Sequence, residues 1–221
     1  KKYQKLTPMV SESSKNTEQN EEVRCGGCGS KIAPSILKES LANLPTQNSI
    51  DVLIGLNVAD DASVVRPTPN SLAVHTVDYF KEFIDDPWIL GKIAANHAIN
   101  DIFAMGAVPK TALAIVGLPL AHPSIMRNDM MQLMRGSLEA LKENQTTLIG
   151  GHTNESPELN IGFSVNGEVE ENKIIRNRGA RAGDSIILTR PLGSGVLFAG
   201  AMLGETKGRW ITAAIGEMCQ S

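Results

Sequence analysis

Four aspartates and one glycine-rich arm hold the side chains of this 221-residue chain best suited to chemistry. Asp60 and Asp61 fall between two short apolar runs, Asp78 closes a third, and Asp101 lies inside an apolar helical stretch. A buried carboxylate is costly unless a cation or a hydrogen-bond donor meets it. Carboxylates gathered from several strand ends suit Mg²⁺, which keeps waters and completes its shell with substrate phosphates. Taken singly, each aspartate also reads as a turn or cap residue. Asp101, with no turn signal around it, resists that reading most. Gly150-Gly151-His152-Thr153 follows a short apolar run, where the N–H groups of a loop can cradle a phosphate. The Gly-Lys-Ser/Thr ending of a P-loop is absent, so a plain turn is the alternative. Gly193-Ser194-Gly195, opening a helix, reads as a second candidate anion site, open to the same plain-turn alternative.

The arm is Cys25-Gly26-Gly27-Cys28-Gly29-Ser30-Lys31. A zinc site needs a second pair of ligands, which Cys219 and four scattered histidines do not supply. A thioredoxin-like motif sits in a βαβ setting, whereas this pair follows a polar leader. What is left is a nucleophilic or substrate-handling thiol, or an inert one. Lys31 favours function, because a lysine on a flexible glycine arm suits contact with phosphate or thiolate. His75, His97 and His122 read as ordinary satisfied histidines, His97 as a buried one. The methionines at 126, 130, 131 and 134 read as helix core or partner surface, not as a cofactor box.

The elements that position these residues follow from periodicity. Hydrophobic residues make up 42% of the chain, enough for a core, and the net charge of −3 gives no electrostatic grip on nucleic acid. Three cysteines do not make a disulfide framework, so a reducing, cytoplasmic setting is expected. No apolar run is long enough for a bilayer. Residues 1–24 read as a disordered leader or linker. Residues 25–49 hold the arm and a first helix that Pro34 opens and Pro45 stops. Apolar runs at 52–56, 62–65 and 72–77 predict a three-stranded meander ending at Asp78. A helix from Pro87 to Met105 follows, with Gly106 as its C-cap. A strand over 111–117, a helix from Pro123, a strand over 146–149 and a strand over 159–169 complete an α+β domain at 50–178, a mixed sheet with helices on one face. Residues 179–221 predict a strand at 185–189 and two helices, too little to bury a core alone, and read as the beginning of a truncated second α+β domain.

Taken together, several separated motifs resemble the selenophosphate synthetase (selenide, water dikinase) family, within the superfamily of aminoimidazole ribonucleotide synthetase. They are Cys-Gly-Ser-Lys at 28–31, Ala-Asp-Asp-Ala-Ser-Val at 59–64, Thr-Val-Asp-Tyr-Phe at 76–80, Ala-Ile-Asn-Asp-Ile-Phe-Ala-Met-Gly at 98–106, Gly-Gly-His-Thr at 150–153, and Thr-Arg-Pro-Leu-Gly-Ser-Gly at 189–195. The acidic motifs belong to the whole superfamily; the Cys and Lys arm singles out the selenium branch. The resemblance implies that ATP, selenide and water give selenophosphate, AMP and phosphate. It implies Cys28 and Lys31 as catalytic, with Lys31 also contacting ATP. It implies Asp61 and Asp101 as Mg²⁺ ligands, and Val58, Ala59, Asp60, Asp78, Asp101, Gly150, Gly151, His152 and Thr153 as nucleotide-binding. It further implies the N-terminal domain of the aminoimidazole ribonucleotide synthetase-like fold and a homodimer through its sheet. Cys25 ahead of Cys28 resembles members fused to an upstream oxidoreductase domain. Asn100 and Arg190 replace the Ser and Lys common in the family, and family members continue well past residue 221, with a further metal-binding aspartate there. Two other functions stay open: a non-catalytic ATP-binding and dimerisation module, and another ATP-using enzyme of the superfamily.

Overall fold

A computed structural model describes residues 34–42, 44–45, 49–50, 52–54, 64–65, 72–175 and 179–221. The leader at 1–24, the arm with Cys28 and Lys31, and Val58, Ala59, Asp60 and Asp61 lie outside the described residues. Helix α1 spans Pro34–Ala42, as its proline start predicts. Strands β1 (Val52–Ile54) and β2 (Val64–Val65) pair antiparallel as a sheet of their own. Strand β3 (Leu72–Lys81) does not join them. The predicted three-stranded meander is therefore corrected to one hairpin and a strand that leaves it.

β3 instead edges a four-stranded sheet in the order β3-β6-β4-β5. Its partners are β4 (Val108–Leu118), β5 (Thr147–Glu155) and β6 (Asn160–Val169). β6 runs antiparallel to both β3 and β4, and β4 runs parallel to β5. A parallel pair needs a crossover, and helix α3 (Pro123–Glu143) supplies it between β4 and β5.

Helix α2 (Pro87–Ala104) lies between the sheet and α3, and its sequence shows why. Leu90, Ala94, Ala95, Ala98, Ile99 and Ile102 are all fully buried, so the helix is apolar nearly all round rather than along one stripe. The sheet offers it Ala112, Ala114, Ile161, Phe163 and Val165; α3 offers Met130, Leu133, Met134 and Leu141. The predicted helix core at Met126, Met130 and Met134 is found there. Two glycines set the closeness of the helices. A Cβ on Gly91 would fall 2.0 Å from the Leu133 carbonyl oxygen, and one on Gly136 1.9 Å from that of Trp88.

Both ends of α2 are set locally, by Pro87 and Gly106 as the sequence marks and by an aspartate cap the structure adds. Asp86 accepts from the Ile89 amide at 3.0 Å, and Pro87 follows as the first helical residue. At the far end Gly106 takes φ +73°, a left-handed conformation that suits glycine.

Beyond a 3₁₀ turn at Glu171–Lys173 come helices α4 (Ser194–Met202) and α5 (Gly208–Met218). The strand predicted at 185–189 is absent. Ile186 is 98% exposed. A strand needs a neighbour for its backbone groups, and no described strand lies beside this segment.

Candidate acidic site on strand β3 and helix α2

β3 alternates strictly, with residues 74, 76, 78 and 80 turned toward the helices and 73, 75, 77 and 79 exposed. Thr76, Asp78 and Phe80 therefore share one row that faces α2. His97 and Asp101, four residues apart on α2, share one helix face. The two rows meet. Thr76 Oγ1 donates to Asp101 Oδ2 at 2.8 Å. His97 Nε2 lies 3.7 Å from Asp78 Oδ2, an ion-pair distance when the ring is protonated. The Phe80 ring meets the His97 ring edge to face, with centroids 5.0 Å apart.

Asp78 is thus inside β3, not at a strand end as the apolar run predicts. The strand runs on through Tyr79, Phe80 and Lys81 because each pairs with β6. His97 is also not buried: its side chain is 56% exposed, and only its Phe80 and Asp78 side is covered. His75 meets Asn166 on the opposite sheet face, an exposed but hydrogen-bonded strand histidine.

The electrostatics of this corner are unfavourable for two charged carboxylates. Asp78 Oδ2 is buried and has no hydrogen-bond donor. Burial pushes the Asp78 carboxyl above its ordinary range; His97 pulls it down, and the neighbouring Asp101 carboxyl raises it again. Two carboxylates can only accept, so they bond to each other only when one is protonated. Asp101 also stands in the last turn of α2, where the helix dipole is negative and no basic residue offsets it. A buried acceptor without a donor, beside a second carboxylate, fits a cation. Among the described residues no group of three His, Cys, Asp or Glu side chains converges on one point. The pair therefore offers two carboxylates, and water, phosphate oxygens or residues outside the described set would complete an octahedron.

Gly150, Gly151, His152 and Thr153 are not in a loop. They lie within β5, paired with Leu113, Ala114, Ile115 and Val116 of β4, just after a bulge. The predicted strand end at 149 is corrected: β4 continues beside these residues and supplies their backbone partners. Gly151 is required by packing, since a Cβ there would fall 2.0 Å from the Ala114 carbonyl oxygen. These four residues sit on the edge opposite β3, and three strand spacings of about 4.8 Å separate them from Asp78 by about 14 Å. The structure brings Asp78 and Asp101 together and keeps 150–153 apart from them.

Sequence reasoning passed over Thr76 and misread His97. The signals were present: Thr76 stands two residues before Asp78 on a strand, hence on the same face, and His97 one helical turn before Asp101.

Residues 59–169 match the AIR synthase related protein family, N-terminal domain. Among curated relatives, the selenide, water dikinase of Caldanaerobacter subterraneus subsp. tengcongensis is 40% identical over 90% of this chain and 53% of its own length. That of Clostridioides difficile is 37% identical over 86% and 53%. The chain spans about half the length of the curated relatives it matches. Solved structures agree on the fold. Thiamine-monophosphate kinase from Stenotrophomonas maltophilia K279a superposes with a TM-score of 0.64 at 21% identity, covering 84% of this chain and 58% of that one. AaThiL complexed with AMPPCP and TMP gives 0.58 at 22%, covering 84% and 57%. The motifs, the helix-backed mixed sheet and these likenesses agree: the chain belongs to the AIR synthase related family, and relatives that share some 40% of its sequence are named selenide, water dikinase.

Proposed function

We propose that this chain is the ATP- and Mg²⁺-binding part of a selenide, water dikinase, in which ATP, selenide and water yield selenophosphate, AMP and phosphate. The observation that carries the reading is the Asp78–Asp101 pair, with its buried oxygen lacking a donor, in a chain 40% identical to a protein of that name. Such a pair costs the apo protein stability and gains a purpose when a divalent cation and phosphates arrive. A fold neighbour that holds AMPPCP supports nucleotide binding by this architecture.

In this reading Asp101 and Asp61 hold Mg²⁺. Val58, Ala59 and Asp60 line the nucleotide, and so does Asp78, whose carboxylate beside Asp101 faces the nucleotide through the bound cation. Lys31 meets phosphate oxygens, and Cys28 handles selenium or positions ATP from a glycine arm that shields the site from water. The bound cation supplies neutralisation of charge developing on the phosphate oxygens.

The distance between the two edges of the sheet bears on assembly. Residues 150–153 and Asp78 stand about 14 Å apart across one sheet, and in this reading two copies paired through the sheet bring one set from each to a shared nucleotide. The open sheet face carries exposed apolar side chains at Val77, Tyr79 and Ile115, a surface that suits such pairing. That face also supports a second reading, a dimerisation module that binds ATP without turning it over.

An ATP-to-AMP assay with and without selenide tests the proposal. Selenide-dependent AMP formation by the chain extended at its C-terminus to the length of its relatives, abolished by Cys28→Ser, is the expected result, with the 221-residue chain assayed beside it. Full activity in Cys28→Ser sinks the assigned role of the arm. ATP binding with no AMP favours the module, and AMP formation indifferent to selenide favours another enzyme of the superfamily.

A further inference from the structure

Asp101 is pushed outward from two sides. Asp78 repels it across the gap to β3, and the C-terminal end of α2 repels it along the helix axis. It is exposed, so no packing wall holds it in place. Among the described residues, the donor that reaches its side chain is the Thr76 hydroxyl, at 2.8 Å. Thr76 is well suited to hold a partner still. It is β-branched, which stiffens χ1, and its backbone pairs with Val165 in the interior of a ten-residue strand.

We propose that Thr76 is a positioning residue: by binding Asp101 Oδ2 it keeps this carboxylate turned toward Asp78, with Oδ1 left for a divalent cation carrying a nucleotide. The inference rests on the proposed Mg²⁺–ATP reading and adds a residue to which that reading gives no part. Without the hydroxyl, Asp101 relaxes toward solvent and the acidic pair splays before ligand arrives. Binding then has to close the pair against its own repulsion. The loss should fall on ligand affinity and its Mg²⁺ requirement, not on the fold.

The test uses the full 221-residue chain with two substitutions and one cycle. Thr76→Val keeps the branched shape and removes the donor; Thr76→Ser keeps the donor and removes the methyl. Binding of a non-hydrolysable ATP analogue is titrated by calorimetry across Mg²⁺ concentrations, and melting without ligand checks folding. For Thr76→Val a loss of about tenfold in affinity is expected, with a matching rise in half-saturating Mg²⁺. Thr76→Ser should stay within about threefold of the wild type. In an Asp101→Asn background the Thr76→Val loss should vanish, because coupled residues are non-additive. Wild-type affinity in Thr76→Val overturns the inference. So does an equal loss in Thr76→Ser, or a loss that persists beside Asp101→Asn. If the wild-type chain shows no Mg²⁺-dependent nucleotide binding, the functional reading fails and takes this inference with it; the other outcomes leave that reading standing.

Discussion

At Asp78 the balance of environments sets a pH dependence whose sign can be worked out. Burial and the nearby Asp101 carboxyl outweigh the pull of His97, so the carboxyl titrates above its usual 3.8 in the folded chain. The folded state then holds this proton more tightly than the unfolded state does. The stabilising contribution is complete below 3.8 and is lost as pH rises through the raised folded value. At neutral pH a charged Asp78 is a liability in the apo protein. Asp78→Asn should therefore raise the melting temperature at pH 7, by a gain that shrinks toward pH 4, while Mg²⁺-dependent nucleotide binding is lost. Thermal melts at both pH values check it; a lower melting temperature at pH 7 would mean that the pair serves the fold and not a ligand.

The α2–α3 crossing is where the elements are least tolerant. Alanine is a better helix former than glycine by about 0.8–1.0 kcal/mol. At Gly136 that gain is outweighed, because the new Cβ would fall 1.9 Å from a backbone oxygen that cannot rotate away. Gly136→Ala should cost about 1–3 kcal/mol through overpacking, read from urea unfolding at constant m-value. Lys92 ties the same helices together, with Nζ 2.8 Å from Glu139 and 3.0 Å from Glu143 and a cation–π contact to Trp88. Both glutamates are about half-exposed, so this network contributes less than the steric fit does. The crossing matters for the site because it fixes α2, and α2 carries His97 and Asp101 to β3.

On the scale of the whole molecule, the sheet has one face covered by helices and one face open. Tyr79 and Ile115 flank Gly162 of β6 from either side on the open face, two of the exposed apolar residues there. If two copies pair through this face, Ile115→Glu should shift the protein from dimer to monomer in sedimentation velocity, with little change in melting temperature. Nucleotide binding should weaken along with the dimer, since residues 150–153 and Asp78 stand at opposite edges of one sheet. A dimer that survives the substitution, with unchanged mass, argues for another pairing surface.

Local signals were enough for most of the elements. Pro34, Pro87 and Pro123 start helices, Gly106 ends one, and period-3.6 and period-2 patterns separate α3 from β3 and β6. The same signals, met in order along the chain, marked Asp60, Asp61, Asp78 and Asp101 as the carboxylates to watch, Asp78 as one that closes an apolar run and Asp101 as one inside an apolar helix. Strand pairing was not legible. β3 passes over its neighbours in sequence and pairs with β6, about ninety residues on, and that choice depends on which faces α2 and α3 cover. For the same reason 150–153 looked like a loop: strand geometry there comes from β4 alongside, not from the glycines themselves. The stretch at 185–189 shows the converse, strand-like residues with no described strand beside them. Residue types and their spacing singled out the side chains suited to chemistry. Long-range packing decided which of them meet, bringing Thr76, Asp78, His97 and Asp101 into one corner and leaving the glycine motif at the far edge.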